Sequence, residues 1–119
     1  MKAISLKQPW ASFIAIGQKT IETRTWKTNY RGELLIVSSK SKIEKGLPYA
    51  GLFNLKLEFG KALAIVNLVD CRPMKKIDEE KAMCDYFPDL YSWILSEVKK
   101  IEAFPVRGQL GLYEVNYET

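Results

Sequence analysis

The apolar residues of this chain occur in short runs, and the length of those runs limits the folds it can adopt. Residues 34–37 and 63–66 are each four consecutive apolar residues. Such a run has the length of a buried strand and falls far short of the roughly 20 apolar residues that a membrane-spanning helix needs. The second run lies within residues 61–71, which predict the clearest strand, and residues 33–38 predict another. The sequence therefore predicts a sheet protein without a membrane-spanning helix.

The N-terminal segment predicts a strand over residues 2–6 and then a short helix. Pro9 suits the first turn of a helix, because its missing N–H would be unpaired there in any case. Gly17 can adopt the left-handed conformation that ends a helix. The apolar positions that follow Pro9 have the spacing of one helical face and predict one buried stripe. They are Trp10, Phe13, Ile14 and Gly17. Residues 19–26 are rich in β-branched and aromatic side chains and predict the next strand.

Two later segments are ambiguous. Residues 47–59 alternate like a strand but also fit a helical face, and we expect a short helix followed by an extended segment. Residues 91–101 have the propensity of a helix, yet their apolar residues also fit a strand. Residues 78–83 predict a short helix capped by Asp78, and residues 112–115 predict a closing strand. Strands joined by short connections with brief helices predict an α+β fold with a mixed barrel.

Composition and residue usage narrow the possible chemistry. A chain of 119 residues with 47% hydrophobic content predicts a single domain over residues 1–119. It contains no histidine, which excludes Ser-His-Asp and Cys-His relays and imidazole metal ligands. Cys71 and Cys84 are too few for a Cys₄ zinc site and are expected to be reduced. No phosphate loop or calcium loop occurs, so no metal or cofactor is predicted. The N-terminus lacks a signal-peptide core, which predicts a cytoplasmic protein.

The basic residues are concentrated in the first third of the chain. Residues 1–45 hold nine lysines and arginines against three glutamates, whereas residues 46–119 hold nine basic and eleven acidic residues. An uneven positive surface predicts a polyanion or phosphate partner. The alternative is an ordinary solvated surface that only keeps the protein soluble.

The segment that follows Gly17 carries the best-defined candidate site. In a strand, Glu22, Arg24 and Trp26 share one face, and Lys19 in the preceding turn can bend toward either face. Arginine offers a planar fork for a phosphate or a base edge, and tryptophan offers a plane for stacking. The alternative interpretation is a surface ion pair between Glu22 and Arg24 beside a core tryptophan.

Basic and aromatic residues continue to alternate after this segment. Lys27, Tyr30 and Arg31 come next, and Lys40 follows the strand over residues 33–38. Single-stranded nucleic acids are bound by such mixtures, because cations hold the phosphates and rings stack on the bases. The pattern predicts an RNA or nucleotide partner.

Several sequence blocks are shared with a known family. The clearest are Lys7-Gln8-Pro9-Trp10, Gly17-x-Lys19-x-x-Glu22-x-Arg24-x-Trp26 and Tyr30-Arg31-Gly32. Together with Ser39-Lys40 and the later segments 68–71 and 105–112, they resemble the ASCH domain family of the PUA-like superfamily. The resemblance covers nearly the whole chain.

The resemblance implies a small PUA-like β-barrel of about five to six mixed strands, with short flanking helices and a cleft beside the first helix. It implies that residues 91–98 form a strand and that the Lys-x-x-Glu-x-Arg block lines the cleft. The implied function is binding of RNA or a nucleotide. The candidate binding residues are Lys7, Gln8, Lys19, Glu22, Arg24, Trp26, Lys27, Tyr30, Arg31, Ser39 and Lys40.

Two other functions stay open at this point. The first is an enzyme of the same fold, either a ribonuclease or an amidohydrolase of a modified nucleoside, in which Lys19 stabilises charge and Glu22 is the general base. Amidohydrolases of the superfamily use a lysine, a threonine three residues later and a glutamate from a later strand. In this sequence Glu22 and approximately Asn67 stand at the last two positions. The second is a protein-interaction adaptor without nucleic-acid chemistry.

Overall fold

The computed structural model describes residues 1–41 and 54–117. Six strands form one mixed sheet in the order β2-β5-β4-β3-β1-β6. The strand β1 runs parallel to β3, and every other neighbouring pair is antiparallel. The elements are β1 (Lys2–Leu6), α1 (Trp10–Ala15), β2 (Ile21–Arg24), β3 (Gly32–Ser38), β4 (Lys61–Pro73), a 3₁₀ turn (Lys76–Asp78), α2 (Glu79–Ala82), β5 (Tyr91–Pro105) and β6 (Leu112–Glu114). The sheet curls into a half-barrel flanked by the short helices α1 and α2, which confirms the predicted α+β class.

The strand β3 shows why its four apolar residues stand in an uninterrupted run. Leu34 and Ile36 pack into one core cluster with α1, whereas Leu35 and Val37 pack into a second cluster with β6. Successive side chains of a strand point to opposite faces, so a strand that is buried on both faces needs apolar residues throughout. The neighbouring strand β4 has the same character over residues 62–66. These two strands form the centre of the fold.

The helix α1 ends near the predicted position, and Gly17 beyond it has a positive φ of 81°. Phe13 and Ile14 are fully buried, as predicted for the stripe. Trp10 is only half-buried against the core, and Gly17 is exposed. The buried stripe is therefore shorter than the sequence predicts, since α1 ends at Ala15 before Gly17 and the ring of Trp10 is only partly covered.

The segment with helical propensity, residues 91–101, lies in the strand β5. Its backbone pairs with β2 on one side and β4 on the other, and Trp93 and Leu95 enter the main core cluster. Tertiary pairing overrides local propensity here, as it commonly does in sheets. The register against β4 shifts at three places, and bulges of this kind bend a sheet. In the other ambiguous segment, residues 47–53 lie outside the described residues, and 54–59 form neither helix nor strand.

Asp78 precedes α2, as predicted, but its side chain does not cap that helix. The carboxylate instead accepts two hydrogen bonds from the guanidinium of Arg72, at 2.7 and 2.9 Å. It also accepts hydrogen bonds from the Ser92 hydroxyl and from the backbone N–H of Lys75, each at 2.9 Å. Asp78 is only 3% exposed, so this cluster ties the helical segment to β4 and β5.

Cys71 and Cys84 are free, as the sequence predicts, and both are half-buried. Within residues 1–41 and 54–117 no cluster of side chains is suited to hold a metal ion. No helix in the same part of the chain combines the length and the apolar character needed to cross a bilayer.

Candidate functional site

A cleft of about 1070 Å³ opens where the ends of several strands meet. Its walls come from the end of β1 and the residue after it, from β2, from the segment after β3, and from the loop between β5 and β6. Because β1 leads directly into α1, the cleft lies beside the entry to the first helix, where the resemblance implies it. The charged and hydroxyl side chains that line it are Ser5, Lys7, Glu22, Thr23, Arg24, Ser39, Lys40, Ser41 and Arg107.

Arg24 stands at the junction of two walls. Its Nε donates to the Glu22 carboxylate at 3.1 Å, and its Nη2 donates to the backbone carbonyl of Ser5 at 2.8 Å. The strands β2 and β1 are not neighbours in the sheet, so this side chain bridges the open side of the half-barrel. A guanidinium has five N–H donors, and the described contacts use only part of them. Arg24 therefore has donor capacity left for an anion in the cleft.

Glu22 is the only acidic side chain that lines the described cleft. One oxygen, Oε2, is 3.1 Å from two nitrogens of Arg24, and the other, Oε1, is 3.6 Å from Nζ of Lys19. Lys19 itself is only 4% exposed and donates to the backbone carbonyl of Ala82, with its ammonium 5.5 Å from the centre of the Trp10 ring. Lys19 thus lies behind Glu22 and does not line the cleft.

The segment after β3 adds one cation and two hydroxyls. Ser39 and Ser41 share a 2.7 Å hydrogen bond between their hydroxyls, and Lys40 lies between them in the sequence. The Lys40 side chain crosses Gly60, where the Cβ of any larger residue would stand 2.7 Å from two of the lysine carbons. Gly60 has a φ of +68°, and its backbone also bonds to Ser38 and Val106. The glycine therefore fixes how Lys40 enters the cleft.

The loop between β5 and β6 forms the remaining wall, and Arg107 was not a predicted site residue. Gly108 approaches Ser5 so closely that a Cβ would stand 3.2 Å from its hydroxyl oxygen, which lets the loop lie against β1. Arg107 and Lys40 make no ion pair with any residue in the described ranges. The turn residues of this segment predict a loop, but no pattern in the neighbouring sequence indicates which strand the loop contacts.

Residues 4–105 match the profile of the ASCH domain. The chain belongs to the ASCH domain family. Two curated relatives are the human and mouse proteins named activating signal cointegrator 1, which are 28% and 27% identical to this ASCH domain over 133 residues. These alignments cover 95% of the chain but 22% of each relative, so the chain spans about a fifth of their length.

The fold of this ASCH domain also matches a solved structure. The crystal structure of a single-residue variant of an ASCH protein from Zymomonas mobilis superposes with a TM-score of 0.62. The match covers 97% of this chain and 89% of that one at 11% identity, so the likeness is one of fold.

The ASCH domain brings five of the predicted site residues into the cleft: Lys7, Glu22, Arg24, Ser39 and Lys40. Lys19 contacts Glu22 from behind, as described above. Gln8 is fully buried, where its amide bonds to the Ser12 side chain and to the Glu58 carbonyl. The structure therefore gives Gln8 a role in holding the start of α1 rather than in the cleft.

The other four predicted residues lie away from the cleft lining. β2 ends at Arg24, so Trp26 no longer shares a strand face with it and packs edge-on against Trp93 at 4.9 Å. Lys27 is exposed in the polar turn that follows. Arg31 pairs with Asp70 at 3.6 Å. The Tyr30 hydroxyl donates to the Glu33 carbonyl, and burial together with the Glu33 charge raises the pKa of Tyr30.

Proposed function

We propose that this ASCH domain binds RNA or a nucleotide in the cleft, through its phosphate groups. The observation that carries the proposal is the charge of the lining, where four cations from separate elements and one carboxylate stand among the described residues. The cations are Lys7, Arg24, Lys40 and Arg107. Charged donors placed around a concave site bind phosphate oxygens more strongly than neutral donors do. The excess of positive charge in the first third of the sequence supports the same partner.

The polar chemistry of the lining also favours phosphate. Ser39 and Ser41 supply hydroxyl groups beside Lys40, and serine hydroxyls commonly contact phosphate oxygens. No aromatic ring lines the cleft among the described residues, so base stacking, which Trp26 and Tyr30 predicted, is not part of this proposal. The volume of the cleft lies just above the roughly 300–1,000 Å³ found for small-ligand sites, so it has room for a nucleotide.

The geometry favours binding over hydrolysis. Lys19 is buried and already bonded to the Ala82 carbonyl, so it contacts no ligand in the cleft. Glu22 is then the only candidate general base that lines the described cleft. Single-turnover incubation of short RNAs and acylated nucleosides with the wild type and with Glu22→Gln tests whether any hydrolysis depends on this carboxylate.

A salt titration tests the proposed binding. A short labelled single-stranded RNA is bound at several salt concentrations by the wild type and by the double variant Lys40→Ala/Arg107→Ala. Neither side chain pairs with another described residue, so we expect the variant to fold normally. Each lost phosphate contact lowers the slope of log K against log salt by about 0.7 on a single strand, so the expected loss is about 1.4.

The matched control removes two lysines outside the cleft. Lys99 and Lys100 are exposed on β5 and do not line the cleft, so Lys99→Ala/Lys100→Ala should keep the wild-type slope. Equal slopes in the two double variants would overturn the proposal, because the phosphates would then not contact the cleft. If neither RNA nor a nucleotide binds the wild type measurably at low salt, the proposal fails as well, and the protein-interaction adaptor is favoured.

A further inference from the structure

Glu22 contributes a carboxylate to a cleft whose other charges, among the described lining residues, are positive. A carboxylate weakens the binding of any phosphate nearby, so its position calls for a physical reason. If Glu22 served only as the ion-pair partner of Lys19 and Arg24, we would expect its carboxylate to be fully buried. The Glu22 side chain instead remains 13% exposed and lines the cleft.

The hydrogen-bonding capacity of Glu22 is only partly used. An ionised carboxylate offers about four acceptor positions on its two oxygens. Oε2 accepts from Nε of Arg24, whereas Oε1 lies 3.6 Å from Nζ of Lys19, beyond hydrogen-bond distance, and accepts no hydrogen bond within residues 1–41 and 54–117. Lys19 cannot move freely toward it, since its ammonium is held by the Ala82 carbonyl.

We propose that Glu22 accepts a hydrogen bond from a neutral N–H or O–H group of the bound nucleotide, so that the cleft selects ligands carrying such a donor together with a phosphate. This inference rests on the proposed function. A phosphate alone can pair with Lys40, Arg24 and Arg107, but it repels the carboxylate of Glu22 and donates no hydrogen bond to it. Two parts of a nucleotide supply the donor: the base, through an exocyclic amino or ring N–H group, and the ribose, through its 2′-hydroxyl.

Matched nucleotides and conservative variants test this role. Titration calorimetry first ranks the four ribonucleoside 5′-monophosphates and inorganic phosphate with the wild type. The tightest binder is then compared with analogues that lack the base donor or the 2′-hydroxyl. For adenosine monophosphate these are purine riboside monophosphate and 2′-deoxyadenosine monophosphate. Each ligand is measured again with Glu22→Gln, which keeps the shape and removes the charge, and with Glu22→Asp, which keeps the charge and withdraws it by one methylene.

The direction of the Glu22→Gln effect decides between the two roles of this residue. We expect the tightest nucleotide to bind about tenfold more weakly, a change of about 1.4 kcal/mol. Inorganic phosphate and the analogue without the decisive donor should bind as well as before or better, because a repulsive charge is gone. The analogue that already binds weakly to the wild type identifies the base or the ribose as the source. Glu22→Asp should lose the same preference while keeping the charge, and it carries the test if the glutamine variant does not fold.

Other outcomes overturn the inference or the function beneath it, and they can be told apart. If Glu22→Gln tightens all ligands by a similar factor, Glu22 only anchors Lys19 and Arg24, and the binding function stands without the selectivity. If nucleotides bind the wild type no better than inorganic phosphate does, the selectivity fails while the binding function stands; if neither RNA nor any nucleotide binds, the proposed function itself fails. Glu114→Gln is the control, since Glu114 lies on the edge strand β6, pairs with Lys2 of β1 and does not line the cleft. It should leave every affinity unchanged.

Discussion

The cluster around Asp78 provides a sharp test of how the fold is held together. Four hydrogen bonds converge on this carboxylate, two from Arg72, one from Ser92 and one from the backbone of Lys75. The hydrogen bond from Arg72 holds the pKa of Asp78 well below its usual range. We expect Asp78→Asn to lower the free energy of unfolding substantially, because the amide keeps the shape of the side chain but loses the charge that Arg72 requires.

The size of the effect follows from burial. Removing one partner of a fully buried ion pair costs about 3–5 kcal/mol, and hydrogen bonds to charged groups contribute about 1.5–3 kcal/mol each. The Asp78 side chain is 4% exposed but that of Arg72 is 29% exposed, so water partly replaces the lost partner. We therefore expect a loss of about 2–3 kcal/mol at neutral pH, which lowers the melting temperature of a domain of this size by about 10 °C.

Urea unfolding at several pH values measures this loss, with Asp70→Asn as the matched control. Asp70 is 54% exposed and pairs only loosely with Arg31, so its variant should stay within about 0.5 kcal/mol of the wild type. The pKa of Asp78 in the folded state lies below the usual value of 3.8. The stabilisation is therefore complete at pH values above that value and is lost progressively at lower pH, where Asp78→Asn should approach the wild type. Equal stability of the two variants at pH 7 would refute the argument.

Two further predictions concern the walls of the cleft and the first helix. Gly60→Ala should lower the free energy of unfolding by about 1–2 kcal/mol, because φ there is +68°, and should weaken RNA binding because its Cβ displaces Lys40. A thermal melt measures the first effect and an RNA titration the second. Unchanged RNA affinity would contradict the role of Gly60 in positioning Lys40. Trp10→Ala should cost about 3 kcal/mol, since the ring packs on the core and near the Lys19 ammonium. A loss below about 1 kcal/mol in urea unfolding would show that the half-buried ring contributes little.

The parts of the fold that sequence could predict are those whose signal is local. An uninterrupted apolar run predicted β3 and β4 because both of their faces are buried, and Gly17 predicted the end of α1 through its backbone freedom. The strand β5 was different. Its residues carry helix propensity while their apolar spacing also fits a strand, and the resemblance to a family decided for a strand. The local signal is ambiguous because the stability of β5 comes from pairing with two distant strands.

The candidate site was predictable only to the extent that its residues are close in sequence. Glu22 and Arg24 pair as their spacing indicates. Trp26 was expected on the same face, but β2 ends two residues earlier and the ring packs edge-on against Trp93. Arg107 reaches the cleft through the approach of its loop to β1, a contact between residues about a hundred positions apart that no local pattern records.

Because Arg24 also bonds to the Ser5 carbonyl, it is less free to be substituted during evolution than the other cations of the cleft. Replacing Arg24 would change both the contact that closes the half-barrel and the charge of the cleft. Lys40 and Arg107 make no ion pairs within the described part of the chain, so substitutions there change the ligand surface alone. A designer who wishes to redirect this cleft toward another anion should therefore randomise Lys40 and Arg107 and leave Arg24 in place.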